Sequence, residues 1–113
     1  MQLEARKYFH DVQEACNLLG QFIAGRSFTD YVGDGMLRAA VEREFEIIGE
    51  ALAQLARLDE ELVSRISEHR RIIAFRNILI HGYAEVDDLL VWDILQTKLQ
   101  ALRQEVTALL EEA

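Results

Sequence analysis

A chain of 113 residues with a net charge of −8, half apolar and 28 % charged, has the balance of one compact domain and excludes both a disordered tail and a second domain. The acidic surplus speaks against a broad nucleic-acid-binding face of the usual basic kind, so no DNA partner is expected, and the absence of proline favours long uninterrupted helices. A single cysteine rules out an internal disulfide framework, and no apolar run approaches the roughly 20 residues of a membrane span, so a cytoplasmic protein without membrane contact is expected.

The N-terminal segment, with Glu4, Arg6, Lys7 and His10 spaced through it, has no signal-peptide core. Ala5, Tyr8, Val12, Ala15, Leu19 and Phe22 repeat three and four apart, which predicts a first helix over residues 3–24 with Cys16 on its apolar side as an inert thiol. Residues 25–35 hold half of the glycine and read as a loop with room for one short helical turn. Leu37, Val41, Phe45, Ile48, Leu52 and Leu55 then line one side of a second helix, opposite Arg43, Glu46, Glu50, Gln54 and Arg57. The Glu46 and Glu50 pair lies on that polar side and reads as simple solvation rather than as paired carboxylates for metal or acid–base work.

Asp59 opens a short helix through Leu62, Val63 and Ile66, and residues 72–81 form a third long element. Its apolar positions nearly encircle the axis, which predicts a helix central in the bundle or covered by a second subunit. Gly82 is the expected stop, and Val86-Asp87-Asp88 supplies a fresh cap. The last helix carries Trp92, Leu95, Leu99, Leu102, Val106 and Leu109 on one stripe. The expectation is an all-α, antiparallel four- to five-helix bundle, with residues 1–113 as a single domain.

Polar chemistry concentrates in one oily stretch, Arg76-Asn77-Ile78-Leu79-Ile80-His81-Gly82-Tyr83. Arg76 rises from the middle of the hydrophobic arc, where an unpaired charge is expensive. Residues 65–76 add Arg65, Arg70 and Arg71 against the single acid Glu68, a local +3 that leaves −11 for the rest of the chain. His10, His69, His81 and Cys16 have no zinc-ligand spacing, and neither a phosphate-cradling glycine loop nor a serine nucleophile elbow is present, so no metal or cofactor is expected.

Arg76, Asn77 and His81 suit metal-free RNA cleavage, in which an imidazole moves protons, a guanidinium holds the charged phosphoryl oxygens, and Asn77 orients the ring or donates to phosphate. On one helix Arg76 and His81 point about 140° apart, so they meet at one atom only if two copies of the helix face each other across a two-fold axis. The plain reading of the same residues also stands: Arg76 pairing with a carboxylate, His81 capping the helix end, and Tyr83 packing as a ring.

The spacing of Arg76, His81 and Tyr83 resembles the signature of the HEPN superfamily, and specifically its HepT-like ribonuclease branch, also called DUF86. Two further blocks carry the likeness: Ala40-Val41-Glu42-Arg43-Glu44-Phe45-Glu46-Ile47-Ile48-Gly49-Glu50-Ala51 is similar to that branch's second-helix pattern, and Val91-Trp92-Asp93-Ile94 to the start of its final helix. The resemblance implies a helical-bundle homodimer that acts as the toxin of a toxin–antitoxin pair and cuts RNA without metal at a cleft between subunits. It implies Arg76 and His81 as the catalytic pair, Asn77 as their polar support, and Tyr83 as the tyrosine that an MntA-type nucleotidyltransferase antitoxin modifies with AMP. Many relatives carry a proline and a tryptophan shortly before the motif arginine, where this chain reads Ser67-Glu68-His69-Arg70-Arg71. There His69 and Arg70 are expected either to add phosphate contacts or to face water, and Arg70 and Arg71 are the candidate RNA-binding residues. A non-catalytic accessory or scaffold subunit of a nucleotidyltransferase is the alternative, and a plain helical adaptor a third reading.

Overall fold

The computed structural model describes residues 1–82 and 86–112, and among them the chain is helical with no strand. Seven helices follow in order: α1 Leu3–Ile23, α2 Phe28–Val32, α3 Gly35–Leu58, α4 Glu60–Val63, α5 His69–His81, α6 Asp88–Thr97 and α7 Leu99–Glu112. α1, α3 and α5 are expected long helices, α4 is the expected short helix after Asp59, α2 is the single turn of the connection, and α6 and α7 share the stretch expected as one last helix. None is long and apolar enough to cross a membrane.

The core forms where the sequence stripes meet. Phe9, Val12 and Leu19 of α1, Val41, Ile48, Leu52 and Leu55 of α3, and Val106 of α7 lose essentially all contact with solvent. α3 packs against α1, α2, α4 and α5, and α7 closes the far side of α1. Cys16 is sealed in this layer, and burial pushes its thiol up to about 12, which keeps it protonated and unreactive.

Aspartates start most of the later helices. The side chains of Asp34, Asp59 and Asp87 accept from the backbone N–H groups of Leu37, Leu62 and Leu89 respectively, each at 3.0 Å. Ser27 and Asp30 form a reciprocal capping box that makes the single helical turn of the glycine-rich connection. That turn is more than a loop filler, because Tyr31 is fully buried and its ring stands 5.5 Å from the half-buried Trp92, tying α2 to α6.

Two expectations are corrected. The final stripe is shared by two helices, not one: Thr97 turns its hydroxyl back onto the Asp93 carbonyl at 2.8 Å, and Lys98 leaves the helix to reach Glu68 at 3.1 Å. No proline or glycine marks the break. The second correction concerns one of the two readings of α5, that of a helix central in the bundle. α5 packs chiefly on α3 and buries only Phe75, while Ile78 and Ile80 remain 49 % and 46 % exposed. The central position belongs to α3, whose apolar stripe is longer and continuous.

Candidate functional site on helix α5

α5 is fixed at both ends by unusual backbone. Glu68 precedes it in the left-handed region at φ 59°, and Gly82 ends it at the same φ, with its N–H donating to the Ile78 carbonyl at 3.1 Å. The Lys98 ammonium, and after it the Arg71 guanidinium, hold the Glu68 carboxyl below the usual carboxylate range. In the middle, the Phe75 ring meets Phe45 of α3 edge-on at 5.4 Å.

That aromatic contact places the next residue, Arg76, directly over Gly49. A Cβ added at Gly49 would stand 2.2 Å from Arg76 Cβ and 2.6 Å from its Cγ, so only glycine lets the arginine stem cross α3 at this height. The stem thereby lies against the helix and the guanidinium emerges beside Glu50. One terminal nitrogen pairs with the Glu50 carboxylate, and the other donates to Asn77 Oδ1 at 2.8 Å. Gln54, one turn along α3, donates to the second oxygen of Glu50 at 2.9 Å. Arg76 Nε is buried with no hydrogen-bond partner, and the side chain as a whole keeps 23 % of its exposure. The charge of Arg76 is thus compensated at its edge while the group still reaches solvent.

Glu50 is the member of this cluster that sequence reasoning misplaced. On a helical wheel it shares the polar side of α3 with Glu46, which makes it indistinguishable from a solvated acid. The available signal was its neighbour, because a glycine in the middle of a long helix marks a close approach by another chain segment. Asn77 joins Arg76 rather than an imidazole. His81 is the last residue of α5 and is exposed, a helical rotation of about 140° from Arg76. Tyr83 lies outside the described residues.

Each arginine of the basic run has a carboxylate within ion-pair distance. Arg65 pairs with Glu112, Arg70 with Glu60 at 3.7 Å, Arg71 with Glu68 at 3.1 Å, and Arg76 with Glu50. The local +3 is therefore offset by acids that lie far away in the sequence. Arg70 and Arg71 nonetheless project into solvent, each 84 % exposed, and such pairs are weak and easily exchanged. His69 does neither of the things expected of it. Its side chain is only 12 % exposed and turned inward, with Nε2 buried, lacking a hydrogen bond, and 3.7 Å from a Glu60 oxygen.

Beside α5 runs an apolar groove of about 440 Å³, lined in part by Phe45, Ile72, Phe75, Ile78, Leu90 and Ile94. Ile80 and Leu89, outside its lining, are exposed as well. Among the described residues no three His, Cys, Asp or Glu side chains gather as a metal site.

Comparison with known proteins points the same way over nearly the whole chain. A family model described as "Ribonuclease HepT-like" matches residues 12–109. A protein of Caldanaerobacter subterraneus subsp. tengcongensis named "Putative RNase" is 31 % identical over 107 residues, 95 % of each chain. One of Thermococcus cleftensis named "Probable ribonuclease HepT" is 30 % identical over 103 residues, covering 91 % of this chain and 93 % of that protein. A further "Putative RNase", from Methanocaldococcus jannaschii, is 28 % identical over 103 residues, covering 91 % and 94 %. No solved structure matches the chain with significance.

Proposed function

The chain belongs to the HepT-like ribonuclease family, and from that premise we propose that it is a metal-independent endoribonuclease whose cutting site forms between two copies of α5. The observation that carries this reading is the state of Arg76: fixed by two acceptors, still open to solvent, and set on a helix that leaves Ile78 and Ile80 about half exposed. A guanidinium held in this way is ready to grip a phosphate through its remaining N–H groups.

In the proposed reaction the ribose 2′-hydroxyl attacks the adjacent phosphorus, loses its proton, and expels the 5′-oxygen of the next nucleotide, which gains one. The products are a 2′,3′-cyclic phosphate end and a 5′-hydroxyl end, with no water consumed in this step. Arg76 faces the negative charge that grows on the phosphoryl oxygens, and His81 of the other protomer moves a proton. A two-fold axis beside α5 supplies the convergence that 140° of rotation denies to a single helix, and it covers Ile78. Arg70 and Arg71 are the residues from which incoming RNA takes its first phosphate contacts, exchanging them for Glu60 and Glu68.

The same reading makes the chain the toxin of a toxin–antitoxin pair, silenced by an MntA-type nucleotidyltransferase that transfers AMP from ATP to Tyr83. A bulky anion next to the His81 end of α5 would repel an RNA phosphate by charge and by size. The nuclease is tested by incubating the purified chain with RNA in a chelator. Cleavage is expected to persist, and Arg76→Ala or His81→Ala to lower it at least about 100-fold with helicity and dimer mass unchanged. Complete inhibition by the chelator, reversed by magnesium, would contradict the mechanism; loss of the dimer in either variant would favour a structural role for these residues.

A further inference from the structure

We infer that Glu50 is a positioning residue for cleavage: it fixes the plane of the Arg76 guanidinium so that the remaining N–H groups face the substrate phosphate. The inference rests on the ribonuclease reading and adds a residue outside the arginine–histidine motif, from a different helix.

Three observations converge on it. The Gly49 gap brings the Arg76 stem against α3, and the guanidinium meets an acid of α3 at the next residue, Glu50. Glu50 is itself held, since Gln54 donates to its other oxygen at 2.9 Å, so both carboxylate oxygens are engaged. Asn77 takes the opposite terminal nitrogen at 2.8 Å, so the guanidinium is pinned at two edges by residues of two helices. Arg76 Nε is sealed from solvent, which leaves the outer N–H groups of the two terminal nitrogens as the only ones that can reach a ligand. An arginine on a flexible stem would have to be ordered during each turnover, whereas this one is ordered beforehand.

The role lies in orientation rather than in contact with RNA. Removing the carboxylate should therefore depress kcat about 10- to 100-fold while KM moves little, because the misplacement is felt where phosphoryl charge develops. Glu50→Gln keeps an acceptor oxygen and should recover most of what Glu50→Ala loses.

The experiment compares wild type, Glu50→Ala, Glu50→Gln and Arg76→Ala in one steady-state RNA cleavage assay. It adds nitrogen-15 NMR of the Arg76 side chain in the full-length protein. Expected are the kcat loss in Glu50→Ala, its recovery in Glu50→Gln, and separate terminal N–H signals in wild type that collapse to an average in Glu50→Ala. Wild-type or faster turnover in Glu50→Ala would overturn the inference, the faster case marking Glu50 as a rival of the phosphate for Arg76. So would a change in KM alone, or averaged guanidinium signals in the wild type. If Glu50→Ala fails to fold, Glu50→Gln and the wild-type spectrum decide. Equal cleavage by wild type and Arg76→Ala would instead bring down the ribonuclease reading, and the spectra would still report whether Glu50 holds the arginine.

Discussion

α3 and α5 pack on each other, yet they dispose of their apolar residues in opposite ways. α3 buries Leu37, Val41, Phe45, Ile48, Leu52 and Leu55 in one continuous stripe, while α5, rich in isoleucine, buries Phe75 alone. The first helix is built for stability within the protomer. The second sets Ile72, Ile73 and Leu79 only partly into the same core, leaves Ile78 and Ile80 about half exposed, and carries the polar motif. A hydrophobic residue on a helix therefore does not by itself announce the core; what matters is whether the rest of the chain supplies a partner for it.

The contrast can be broken by substitution. Leu52→Ala removes a fully buried side chain from the centre of α3 and should cost about 2–5 kcal/mol in denaturant unfolding, enough to threaten the fold of so small a domain. A cost below 1 kcal/mol would mean that α3 is not the load-carrying helix. Ile78→Glu, on the half-exposed face of α5, should change protomer stability by no more than about 0.5 kcal/mol. Its effect should appear in sedimentation, as a shift from dimer to monomer, together with loss of RNA cleavage. An Ile78→Glu protein that stays dimeric would place the subunit contact elsewhere.

The stripes of α1, α3 and α7 were legible in the sequence because burial on one side of a helix leaves a periodic trace. The helix starts at Asp59 and Asp87 and the stop at Gly82 were legible for a similar reason, since each acts within a few residues of itself; the cap at Asp34 was not read, being taken as part of the loop. What escaped depends on contacts between distant segments. Glu50 looks solvated until Gly49 brings Arg76 across α3, and the positive run at residues 65–76 looks unopposed until Glu50, Glu60 and Glu112 arrive from other helices. The break at Lys98 rests on a threonine hydroxyl and a long-range ion pair, neither of which disturbs the apolar spacing of Leu95 and Leu99. Tyr31 was hidden inside a stretch whose glycines marked it as a loop. In the candidate site, Arg76 and Asn77 were singled out by their chemistry, while the Glu50 carboxylate that pairs with Arg76 was not.

The central claim is that Arg76 of one protomer works with His81 of its partner. Mixing Arg76→Ala and His81→Ala proteins after unfolding and joint refolding tests it directly, because each variant alone lacks one member of every site. In a mixed dimer one of the two sites regains both members, so random pairing predicts recovery to about a quarter of wild-type RNA cleavage. A mixture as inactive as its separate components, with mixed dimers verified by mass, would contradict the shared site.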